Sequence, residues 1–222
     1  VSLFSIHIGS QLVDLGSALL LVTCFAIVAQ RRLSACVDLF ALQSVFLALT
    51  AALVAFLTGI HHIYIAAALT IVIKAVVIPR ILKQVIERLN VKRELEMNVN
   101  VPTGLLICGA LVILGFFITQ PIIPLGFLLT RDSLAIALAI ILIGFFMMIA
   151  RRKAVTQVIG FLVMENGLFL GATAAAYGMP LIVELGVFFD VLVGALIIGI
   201  YSHRLQDAFD SVDTSKLTTL KE

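Results

Sequence analysis

Tryptophan is absent from the chain, and charge is scarce: Asp, Glu, Lys and Arg make up only 13% of its 222 residues. A soluble domain of this size carries about a quarter of its residues as charge, so the scarcity excludes a water-facing globule. Neither sign dominates. Fifteen Lys and Arg against thirteen Asp and Glu leave a formal charge of +2, which excludes the basic surface that a nucleic-acid partner demands. Cysteine occurs three times, at Cys24, Cys36 and Cys108, without a CxxC or Cys/His pattern. That spacing excludes a recognisable metal or redox motif, and the three read as small apolar side chains. There is no GxGxxG, no phosphate loop and no nucleophile elbow. No catalytic residue, cofactor site or metal-ligand set is therefore expected.

What the chain has instead is apolar length. It is 62% hydrophobic, with a mean hydropathy of +1.19. The apolar residues come in runs long enough to cross a hydrocarbon core about 30 Å thick, which takes roughly 20 residues of helix. Bounded by charge, Pro or Gly, seven runs qualify: 12–29, 36–57, 63–82, 103–119, 133–150, 155–176 and 181–202. Runs such as 134–150 show no alternation of polar and apolar positions, so the spans are helices that satisfy their own backbone and not barrel strands. The expectation is an all-α polytopic membrane protein forming one membrane domain over 1–222. A cytoplasmic linker at 83–100 extends the third helix, and a tail covers 203–222.

Basic residues orient the spans. Arg31 and Arg32 fall in the first loop, Arg80, Lys83, Arg88, Lys92 and Arg93 around the third, Arg151, Arg152 and Lys153 in the fifth, and Arg204, Lys216 and Lys221 in the tail, whereas the opposite face has only Arg131. The positive-inside rule then places the N-terminus outside and the C-terminus in the cytoplasm of a bacterial or archaeal cell membrane. The pairs Arg31-Arg32 and Arg151-Arg152 lie 120 residues apart. Each closes an outside-to-inside helix, which suggests two parallel three-helix units joined by the fourth helix.

Ionisable groups inside the spans carry the functional expectation, because charge at mid-bilayer requires a partner, a wet cavity or a proton. Lys74 interrupts TIVIKAVVIP, Glu165 interrupts FLVMENGLFL and Asp190 interrupts GVFFDVLVGA. Burial disfavours the charged form of such groups and brings them toward proton exchange near neutral pH, so the three form a candidate proton relay. Asn166 and Gln43 are accessory candidates that could hold bridging water. Asp14, Asp38 and Glu184 lie nearer the span ends, where solvation competes with a relay role. The alternative reading is structural: Lys74 with one carboxylate forms a buried ion pair that fixes helix packing.

The stretches RRKAVTQVIGFLVMENGLFLGA and ELGVFFDVLVGALIIGIYSHRL resemble component E of hydrogenase-4, as do RLSAC and LQS around the second span and the tail 216–221. The most specific parts are Met164-Glu165-Asn166-Gly167 and Val183-Glu184-Leu185-Gly186 with Asp190 following. That family is similar in turn to the three-helix K subunit of respiratory complex I. On this resemblance Asp190 takes the place of the K subunit's second membrane glutamate, four residues before Gly194. Leu162 takes the place of the first, with Glu165 one helical turn later. The resemblance implies a non-catalytic subunit of a complex I-related membrane hydrogenase, without a cofactor of its own. Its partners would be antiporter-like and other membrane subunits and the lipid bilayer, and its role proton or Na⁺ translocation coupled to electron transfer. Two other classes remain open, an assembly subunit with no relay role and a stand-alone secondary transporter; Pro79, Pro121 and Pro124 sit near span ends, against the broken helices of the latter.

The topology is testable by single-cysteine labelling with an impermeant reagent, in a background lacking the native cysteines. Position 131 is expected to label from outside intact cells and position 92 only after permeabilisation. Labelling of both from one side rejects seven alternating spans.

Overall fold

The computed structural model describes residues 3–88, 99–120, 131–151, 154–176 and 194, and among these the regular structure is helical. In order, α1 (Leu3–Ala29) and α2 (Leu33–Thr58) form a hairpin, and α3 (His61–Thr70), a π-helical segment (Ile71–Val77) and α4 (Ile78–Arg88) make one continuous rod. After it come α5 (Val101–Thr119), α6 (Arg131–Ala150) and α7 (Ala154–Ala176). Among the described residues, six helical stretches are long and apolar enough to cross a membrane: Gly9–Ala29, Leu33–Thr58, Ile63–Glu87, Val101–Thr119, Asp132–Ala150 and Val155–Ala174. The protein is a multi-pass, all-α membrane protein. The expected seventh span at 181–202, the tail and most of the linker lie outside the described residues.

Local sequence explains the helix ends. Gly59 closes α2 in the left-handed region, φ 72°, and its N–H bonds back to the Ala55 carbonyl at 2.9 Å, a conformation that a side chain would penalise. Pro102 stands in the first turn of α5, where a missing N–H is harmless. The third rod does not stop at Pro79. It continues to Arg88, so the start of the 83–100 segment is helix, as its apolar spacing suggested. At the other end, α1 begins at Leu3 and not at 12, which moves Asp14 from the first turn into the body of the helix.

The helices pack like against like. Hairpin α1/α2 faces hairpin α6/α7, with α1 against α6 and α2 against α7; the α3–π–α4 rod lies along α2, and α5 covers α6 and α1. Six side-chain hydrogen bonds between described residues of the two hairpins join positions 116 to 124 apart in sequence. That separation is close to the 120 residues between the two arginine pairs. Apolar side chains that are buried between the hairpins, such as Leu20, Phe40, Leu47, Ile140 and Leu162, form the core. On the outer side of α5, Leu106, Ile113 and Phe117 are 72–76% exposed, as a surface solvated by lipid requires.

Approach is closest between α6 and α7. A Cβ built on Gly144 would lie 2.6 Å from the Met164 nitrogen, and one on Gly167 2.9 Å from the Ile141 nitrogen, so small residues let these backbones touch. Gly144→Ala is therefore expected to force the pair apart. It should lower stability by about 1–3 kcal/mol, read as a reduced thermal midpoint in detergent. Gly109→Ala on α5, where a Cβ meets nothing within 4 Å, should leave the midpoint unchanged.

Candidate functional site

Three elements bring polar groups to one place in the interior. The buried stripe of α2 runs through Phe40, Gln43, Ser44, Leu47 and Ala51 at spacings of three and four, so Gln43 and Ser44 share the face that packs against its neighbours. On α7, Glu165 and Asn166 sit within the buried run Leu162, Val163, Phe169 and Leu170. Lys74 enters from the π-helical segment, at its centre. That segment has a local cause. Pro79 has no N–H to give the carbonyl four residues back, and its ring crowds that carbonyl; the wider turn ahead of it, in which the Ile78 N–H bonds to the Ile73 carbonyl five residues back, makes room. Wide turns of this kind recur at functional positions.

Lys74 Nζ lies 2.7 Å from Glu165 Oε1, with both side chains only 3% exposed. This is the length of a charge-assisted bond in a medium that cannot solvate either ion. Lys74 Nζ also donates to Asn166 Oδ1 at 3.4 Å. Asn166 Nδ2 donates in turn to Gln43 Oε1 at 3.2 Å and to Ser44 Oγ at 3.4 Å. Gln43 Nε2 donates to the Leu20 carbonyl of α1 at 3.1 Å, and the Ser44 hydroxyl to the Phe40 carbonyl at 2.9 Å. A continuous polar chain thus runs from α1 through α2 and α7 to the third rod. Gln43, Ser44 and Asn166 have no measurable exposure.

The remaining candidates lie apart from this chain or outside the described residues. Asp14 accepts from Ser133 Oγ at 3.1 Å, and Ser17 Oγ donates to Ser133 Oγ at 2.8 Å, tying α1 to α6. Asp38 pairs with Lys83 at 2.5 Å on an exposed surface, joining the start of α2 to α4. Asp190 and Glu184 fall outside the described residues. The cysteines are free and buried, and no cluster of metal-ligating side chains occurs among the described residues.

Ser44 was not among the sequence candidates, although its place beside Gln43 put it one position from the site. Arg151 was read as a loop cation. It is instead buried, 3% exposed, and donates to the Ile27 and Val28 carbonyls at 3.3 and 3.2 Å, where a cation meets the negative end of α1. Burial draws its pKa below the ordinary arginine value, with Cys36 acting in the opposite sense.

Comparison with known proteins gives relatives across nearly the whole chain. An uncharacterized protein of Mycobacterium tuberculosis, Rv0085, is 34% identical over 214 residues, covering 96% of this chain and 97% of the relative. Hydrogenase-4 component E of Escherichia coli K12 is 24% identical over 216 residues, covering 96% and 99%, and the Shigella flexneri protein of that name matches equally. No protein-family model matches, and no solved structure does.

The buried pair sets a stability expectation. Lys74→Met strands the Glu165 carboxylate in an apolar interior and should destabilise the protein by about 3–5 kcal/mol. Adding Glu165→Gln removes the stranded charge, so the double variant should regain most of that loss in the same thermal assay. Additive loss in the double variant would show that the two residues do not act as a pair.

Proposed function

The chain belongs to the hydrogenase-4 component E family, and from that premise we propose that it is a membrane subunit of a complex I-related hydrogenase assembly, contributing intramembrane ionisable residues to proton translocation. The observation that carries the reading is the Lys74–Glu165 pair, 2.7 Å apart and closed off from solvent in the interior of two spans. Natural membrane segments seldom keep a carboxylate and an ammonium at such depth without a task.

In this reading Glu165 takes up and releases the proton, and Lys74 supplies the positive charge that makes the carboxylate tolerable when the proton leaves. A change in the position or charge of the ammonium then alters how readily Glu165 holds a proton, which is the coupling an ion-translocating subunit needs. Asp190 is the second carrier, by its place in the motif that resembles the K subunit. Asp14, Asp38 and Glu184 are assigned to the margins, where they could exchange protons with water. In this reading the chain holds no redox centre of its own: electron transfer takes place elsewhere in the assembly, and the chain's neighbours in the membrane are antiporter-like and other membrane subunits. The N-terminus lies outside and the C-terminus inside, following the basic loops.

A second reading keeps the same pair as a packing device, because it also ties α7 to the third rod. Isosteric neutral variants separate the two. Glu165→Gln and Asp190→Asn preserve size and hydrogen bonding but cannot exchange a proton. For a relay, each variant complex should assemble normally while proton translocation after reconstitution falls at least about tenfold, roughly 1.4 kcal/mol on the limiting barrier. Full translocation by the double variant, with assembly verified, leaves the packing role in place and rejects the relay.

A further inference from the structure

Directionality distinguishes the polar chain on α1, α2 and α7 from a simple cluster. The Leu20 carbonyl can only accept, so Gln43 must turn its NH₂ toward it and its Oε1 toward Asn166. The Ser44 hydrogen is already given to the Phe40 carbonyl, so Ser44 too offers Asn166 only a lone pair. Facing two acceptors, Asn166 must present its NH₂ to α2 and its Oδ1 to Lys74. The orientation of every amide therefore follows from two backbone carbonyls, and its last link is an acceptor placed at the lysine beside Glu165.

We propose that Gln43 and Asn166 are positioning residues: they fix the polarity of a hydrogen-bond chain that ends on Lys74 and thereby hold its ammonium against the Glu165 carboxylate. This rests on the relay reading for its functional consequence, since a correctly held ammonium is what keeps Glu165 ready to release its proton. Primary amides do not themselves take up or give protons at neutral pH, so their role is orientation and not carriage. Remove the acceptor on Gln43 and Asn166 can turn over, bringing N–H groups toward an ammonium that needs lone pairs.

The test uses the assembled membrane complex and infrared spectroscopy, with the Glu165 band identified as the one lost in Glu165→Gln. Gln43→Leu is expected to move that band from carboxylate toward protonated carboxyl and to lower proton translocation about tenfold, the scale of one hydrogen bond to a charged group. Gln43→Glu, with its carboxyl verified as protonated by its own infrared band, keeps the order of acceptor toward Asn166 and donor toward the Leu20 carbonyl, and should retain the wild-type Glu165 band and rate. A band unmoved in Gln43→Leu, or equally moved in Gln43→Glu, overturns the proposal. If Gln43→Leu does not assemble, Ser44→Ala decides: it removes one of the two acceptors with almost no change of volume, and a shift in the same direction supports the assignment whereas an unchanged band rejects it. The relay reading fails separately, through full translocation by Glu165→Gln.

Discussion

An ammonium and a carboxylate placed where water cannot reach them must find each other, and much of this architecture can be traced to that constraint. The effective penalty for burying either ion alone is several kcal/mol, and it is repaid only by close contact and by hydrogen bonds to the atoms left over. Lys74 and Glu165 meet at 2.7 Å, which requires α7 and the third rod to lie within reach of one another across α2. The π-helical turn before Pro79 brings the lysine to the buried side while Ile71, Val72 and Val77 stay on the exposed side. On the other flank, glycines at 144 and 167 seat α7 on α6 at backbone contact, which leaves the polar residues of α7 facing away from α6 and toward α2.

Packing of one hairpin on the other gives the polar groups their partners. A polar residue at that contact that meets a polar residue of the other hairpin is not left in hydrocarbon. Ser17 with Ser133, and Gln43 and Ser44 with Asn166, are contacts of this kind. Lys74 from the third rod reaches the carboxylate of α7 beside these amides.

Helix existence and membrane class were legible because apolar run length depends on the bilayer alone, and the depth of Lys74 and Glu165 could be read from their distance to the nearest charged loop. Which carboxylate the lysine meets could not, since it depends on the rotation of three helices about their axes and on a π-helical turn that Pro79 hints at only after the fact. Arg151 illustrates the same limit from the other side. By position it is one more loop cation, and only the approach of α6 to the end of α1 turns it into a cap for the Ile27 and Val28 carbonyls. Gln43 and Asn166 were recognisable as polar residues in apolar spans, but their direct bond to each other depends on how α2 and α7 pack and could not be read from sequence.

The chemistry of that amide chain constrains where a proton could travel. Carboxylates, lysines and water exchange protons, whereas a primary amide can accept or donate a hydrogen bond without giving up a proton at neutral pH. The chain from Leu20 through Gln43 and Asn166 to Lys74 is continuous in hydrogen bonds and closed to proton transfer. It offers the ammonium an acceptor that an apolar wall could not. Gln43 and Asn166 themselves therefore carry no proton to or from Glu165. The serine and aspartate cluster of Asp14, Ser17 and Ser133, tied into the α1–α6 contact, has no connection to Glu165 through these amides. If Asp14 exchanges protons with water, it does so on a path that reaches Glu165 by another route.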